Sequence, residues 1–156
     1  MTTRYLEDYT EGEVIVTAPY VLSRGELIAF AKTYDPQPMH IDEAYAEGPG
    51  PFRDVIASGF QTVAICFKLF AEMGFFVGDV ALGGPGMDEV RWLSPVFPED
   101  VLTNHATVLA ARRSRSKPDR GLIRVRHDLK NQSGESVVTC ITISMIRCRE
   151  LPAPKA

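Results

Sequence analysis

From Gly59 to Met73 the sequence sets Phe60, Val63, Ala64, Ile65, Phe67, Leu69, Phe70 and Met73 around most of a helical wheel. A helix apolar on nearly every side must be covered on nearly every side. The cover follows it in the chain. After Gly83-Gly84-Pro85-Gly86 come four long β-prone runs, Met87 to Leu93, Val101 to Ala111, Leu122 to Lys130 and Val137 to Arg147. Segments 112–120 and 131–135 read as hairpin connections, so the runs are expected to form an antiparallel sheet. One buried helix followed by long strands predicts an α+β fold in which a sheet curls around a helix.

The chain ahead of that helix is more broken. Val14 to Val16 and Tyr20 to Leu22 are β-prone, and Ser23 with Glu26 forms a capping box that opens a helix carrying Leu27, Ile28, Ala31 and Tyr34 inward. Pro36 and Pro38 predict its end near Asp35 and an extended stretch beyond. Asp42 is placed to cap a short turn through Ala46, and Gly48-Pro49-Gly50-Pro51 reads as a loop. Gly74 is a natural stop for the buried helix.

At 156 residues the chain suits one core, a single domain over 1–151 with a disordered tail over 152–156. Twenty acidic residues against 17 basic argue against nucleic acid as a partner. Cys66, Cys140 and Cys148 have no CxxC spacing, which excludes a complete disulfide framework and predicts buried, reduced thiols. The first eight residues hold no apolar export segment, and the greasiest stretch is broken by Gln61, Lys68 and Glu72, so the expected setting is cytoplasmic, away from membranes.

Three blocks carry chemistry. The first is Phe30-Ala31-Lys32-Thr33-Tyr34-Asp35-Pro36-Gln37-Pro38-Met39-His40-Ile41-Asp42, the second Val55-Ile56-Ala57-Ser58-Gly59-Phe60, and the third Val90-Arg91-Trp92-Leu93-Ser94-Pro95-Val96. Asp35 and His40 form a candidate acid/base pair across a proline-stiffened turn, and the Gly59 amide at a helix N-terminus suits an oxyanion. Taken alone, an Asp before Pro is as commonly a cap, and a His entering an extended stretch as commonly structural. His105 and His127 lie within strand patterns and read as cross-strand or surface residues, and no metal site is assigned.

In this order the blocks resemble the MaoC-like dehydratase and (R)-specific enoyl-CoA hydratase family, a branch of the hot dog fold. The resemblance implies an antiparallel sheet wrapped around a central helix. It implies a hydro-lyase that adds water to trans-2-enoyl-CoA or removes it from (R)-3-hydroxyacyl-CoA, with Asp35, His40 and Gly59 catalytic. No metal or redox cofactor is implied, coenzyme A entering only with the acyl-CoA thioester substrate, and the expected assembly is a homodimer. Gln37 stands where the family commonly has Asn, and Ser58 where it commonly has His; with Arg91 these are the candidate substrate-binding residues. Arg91 has two possible roles, binding phosphate or pairing with Asp88 or Glu89. The basic run Arg112 to Arg120 likewise reads either as a contact for coenzyme A phosphates or as a solvated hairpin tip. Two other functions compete: a hot dog thioesterase, for which the first turns of the central helix offer Gln61 but no carboxylate, and a non-catalytic acyl-thioester-binding subunit.

Overall fold

A computed structural model describes residues 3–76 and 78–149; the expected tail over 152–156 lies outside them. In chain order the elements are β1 (Val14–Val16), β2 (Tyr20–Val21), α1 (Arg24–Tyr34), α2 (Pro38–Ile41), α3 (Glu43–Glu47), α4 (Gly59–Phe70), β3 (Gly86–Trp92), β4 (Val101–Arg113), β5 (Arg120–Lys130) and β6 (Ser136–Arg147). The sheet is antiparallel in the order β1-β4-β5-β6-β3, with β2 pairing β4. This is the hot dog arrangement, with α4 against the inner face of the sheet.

Alternation along the strands builds that face. Leu102, Ala106 and Val108 on β4, Ile123, Val125 and Leu129 on β5, and Val138, Cys140 and Ile146 on β6 are all buried. Against them α4 lays Ile65, Cys66, Leu69 and Phe70. At Gly74, whose φ is +85°, the helical path is broken, a conformation that favours glycine, and Phe75 beyond it stays in the core.

The expected helix reaches Gly74, its last turn being π-helical over Ala71–Phe75, but it is less enclosed than its composition suggested. Phe60 is 66% exposed and Phe67 41%, so one side of α4 is uncovered and only Phe70 of the three phenylalanines is core. In α1 the Ser23 hydroxyl accepts from the Glu26 amide as the capping signature predicts, and Leu27 and Ala31 are buried, but Tyr34 faces outward at 71% exposure. The largest local departure is at α2, where an extended stretch was expected. Pro38 takes the first turn of a short helix, a place where its missing N–H removes no bond.

A buried polar chain pins α4 to the sheet. The Asn104 amide on β4 donates to the Cys66 carbonyl at 2.9 Å and to His127 Nδ1 at 2.9 Å. That leaves the His127 Nε2–H to donate to Thr142 Oγ1, also at 2.9 Å. His127, read from sequence as a cross-strand or surface residue, is wholly buried. The three cysteines are free and buried, and no described helix is long and apolar enough to cross a membrane.

Burial pushes the His127 imidazole down from 6.5 to about 4. Between those values the unfolded chain binds a proton that the folded chain does not, so stability is full above pH 6.5 and falls as the pH drops towards 4. The loss expected from this residue approaches about 3 kcal/mol. Urea unfolding across that range should show the decline, and a His127→Gln variant should flatten it.

Candidate active site

Three chain segments meet at the N-terminal end of α4. Asp35 caps the C-terminus of α1, its amide bonded to the Ala31 carbonyl. His40 lies in α2 and is 3% exposed. The segment ahead of α4 is tied on both sides, with the Ile56 amide donating to Met39 O at 3.1 Å and the Ala57 amide to Val96 O at 2.8 Å. Below it, Arg24 holds Asp54 through two bonds of 2.9 and 2.8 Å.

Each oxygen of the Asp35 carboxylate accepts one hydrogen bond and keeps a further lone pair. Ser58 Oγ–H donates to Oδ2 at 2.6 Å, and Gln37 Nε2 donates to Oδ1 at 2.7 Å. Ser58 also accepts from the Phe60 amide, so one hydroxyl caps α4 and binds Asp35 together. The Ser58 bond, then the Gln37 bond, hold the Asp35 carboxyl below its usual range; desolvation opposes them and the neighbouring His40 assists.

His40 is fixed from its other side. Its Nδ1 lies 2.7 Å from the Ile56 carbonyl, which only accepts, so Nδ1 carries the proton and Nε2 is turned toward Asp35 Oδ2 at 3.4 Å. In the neutral imidazole the facing atoms are therefore both acceptors. A water molecule, with two O–H groups, is the simplest species that satisfies both.

A cavity of about 350 Å³ opens on the pair, bounded by Asp35, Gln37, His40, Gly59, Phe60 and Trp92 among others. As the first residue of α4, Gly59 has no helical acceptor for its amide. Trp92, which the sequence offered only as part of the third block, lies directly on Gly59. A second, more apolar cavity of about 580 Å³ lies farther along α4, between Phe67, Phe76 and Met87.

The remaining candidates lie elsewhere. Ser58 does not border the first cavity; its hydroxyl is turned to Asp35. Arg91 sits past a bulge in β3, donates to the Val90 carbonyl, and leaves Asp88 to pair with Arg124 at 3.0 Å. The basic hairpin is at the far end of β4, twelve residues from Val101 and so roughly 40 Å along the strand. There Arg113 pairs with Glu7 and Arg120 with Asp119. Among the described residues no cluster of three or more His, Cys, Asp and Glu side chains has a metal-binding arrangement.

Removing the Ser58 hydroxyl tests this account of Asp35. In Ser58→Ala the Asp35 carboxyl should titrate higher, observable by carboxyl-carbon NMR, and loss of the cap should cost about 1 kcal/mol of stability. An unchanged titration would assign the lowered value to Gln37 and His40.

Comparison with known proteins gives this geometry a family. A model described as MaoC like domain matches residues 8–131. The chain is 39% identical over 112 residues to the uncharacterized protein YdeM of Bacillus subtilis, covering 72% of this chain and 78% of that protein. It is 31% identical over 165 residues to the mesaconyl-CoA hydratase of Cereibacter sphaeroides, covering 97% of this chain but only 43% of that longer protein. The crystal structure of a MaoC-like dehydratase from Rhodospirillum rubrum superimposes with a TM-score of 0.84 at 34% identity, covering 95% of this chain and 99% of that one. With a family model spanning most of its length and a matching fold, the chain belongs to the MaoC-like dehydratase family.

Proposed function

We propose that this protein is an (R)-specific enoyl-CoA hydratase, or in reverse a 3-hydroxyacyl-CoA dehydratase, with Asp35 and His40 as its proton-handling pair. The observation that carries the reading is the 3.4 Å apposition of two acceptors, Asp35 Oδ2 and His40 Nε2, on a cavity that Gly59 also borders. Family membership and the similarity to a mesaconyl-CoA hydratase support it.

In the hydration direction a water donates one hydrogen to each acceptor. Asp35, kept ionised by Ser58 and Gln37, orients the water and steadies a charged imidazole. His40 Nε2 takes the proton as the water oxygen bonds to the β-carbon. The alkene electron pair moves toward the thioester oxygen, which the Gly59 amide and the N-terminal end of α4 stabilise. Return of the proton from His40 to the α-carbon completes addition to one face and restores the pair. Coenzyme A enters only with the substrate, and the chemistry asks for no metal or redox cofactor.

We further propose that the protein acts as a cytoplasmic homodimer. β3 ends the sheet, and Met87 and Trp92 on it, with Leu93 just beyond, are exposed, as suits a strand onto which a second copy adds. A thioesterase would need a carboxylate in the first turns of α4. There Gln61 is buried and bonded toward the Glu26 carbonyl, away from the cavity.

The test follows loss of enoyl-thioester absorbance over a panel of trans-2-enoyl-CoA substrates, with free thiol assayed in parallel. Absorbance loss without thiol release is expected, falling by roughly 10²- to 10⁴-fold in Asp35→Asn and in His40→Ala while both remain folded dimers. Undiminished turnover in either variant would remove the assignment of the pair, and thiol release would favour a thioesterase.

A further inference from the structure

We propose that the indole N–H of Trp92 is a second donor to the thioester oxygen, beside the Gly59 amide; this rests on the hydratase reading above. Trp92 closes β3, and the pyrrole edge of its ring lies on the first residue of α4. A Cβ added to Gly59 would stand 2.5 Å from Trp92 Nε1 and 2.6 Å from Cε2, so any side chain there would drive the indole away. Glycine at 59 thus serves the ring as well as the backbone amide. Phe60 holds the indole from the side, edge to face, with centroids 6.1 Å apart.

The indole nitrogen only donates, so it cannot serve a proton-accepting role in this cavity. Trp92 and Gly59 border the same cavity as Asp35 and His40, and none of the described residues accepts a hydrogen bond from Nε1. Two touching residues that each carry a free N–H therefore border the cavity, and in the proposed reaction the two acceptors Asp35 Oδ2 and His40 Nε2 bind the attacking water. As the water oxygen bonds to the β-carbon, the alkene electron pair passes to the thioester oxygen. Both N–H groups hold that oxygen without giving up their protons, and the pair returns to the α-carbon when His40 protonates it.

Trp92→Phe keeps an aromatic ring on Gly59 and deletes the donor. Its kcat should fall by at least roughly tenfold with KM little altered, the pattern of an interaction made chiefly in the transition state. Trp92 is also the chain's one tryptophan, so its fluorescence reports this corner and the strand edge beside it. Titrating wild type with butyryl-CoA, a saturated thioester that cannot be hydrated, should change that emission, and this arm needs no variant to fold.

Wild-type kcat in folded Trp92→Phe would overturn the donor role, while Asp35→Asn, assayed beside it, reports separately on the pair. Unchanged emission at saturating butyryl-CoA would also overturn it. Failure of the wild type to hydrate any enoyl-CoA would remove the hydratase reading and the donor role together.

Discussion

The packing of α4 against the inner face of the sheet is the constraint on which everything else rests. Ile65, Cys66, Leu69 and Phe70 meet the inward residues of β4, β5 and β6, and burial of this apolar surface is what drives the sheet to close around the helix. Apolar contact alone leaves a helix free to slide or turn. The bond from Asn104 to the Cys66 carbonyl removes that freedom, and the continuation through His127 to Thr142 ties three strands into the same lock. Breaking one member would leave buried polar atoms unmatched, which makes the arrangement specific as well as cohesive.

Fixing α4 fixes its amino end, and the site is built there. Ser58 joins that end to Asp35 across 23 residues of sequence, so the carboxylate is held by the helix it faces. Gln37 and Ser58 each give Asp35 one hydrogen bond, and the Ile56 carbonyl decides which His40 nitrogen carries the proton. The result is a facing pair of acceptors in a cavity whose walls include Phe60 and Trp92, with an unpaired amide nearby.

Much of this was legible in the sequence wherever the signal is local. The Ser23–Glu26 cap, the end of α1 at Asp35, the turn at Gly74 and the four long strands follow from residue chemistry acting over a few positions. The juxtaposition of Asp35, His40 and Gly59 was legible in a different way, through three ordered blocks resembling a known family. Pro38 misled because the same ring that disfavours helix before it is at home in a helix's first turn. The apolar wheel of α4 misled because composition records what a residue prefers and not whether anything covers it; Phe60 and Phe67 stay exposed.

By itself, then, the sequence determined the element types outside α2, the helix caps, the antiparallel order of the strands joined by hairpins, and the five-residue spacing of Asp35 and His40. Only the tertiary structure decided that Ser58 serves Asp35, that His127 is a buried neutral link, that Arg91 turns from the cavity, and that Trp92 lies on Gly59. The division has a physical cause. Propensity, capping and turn chemistry act between residues a few positions apart, whereas these contacts span tens of residues and depend on sheet curl, strand register and which face of α4 is turned inward. None of those exists until the chain has folded.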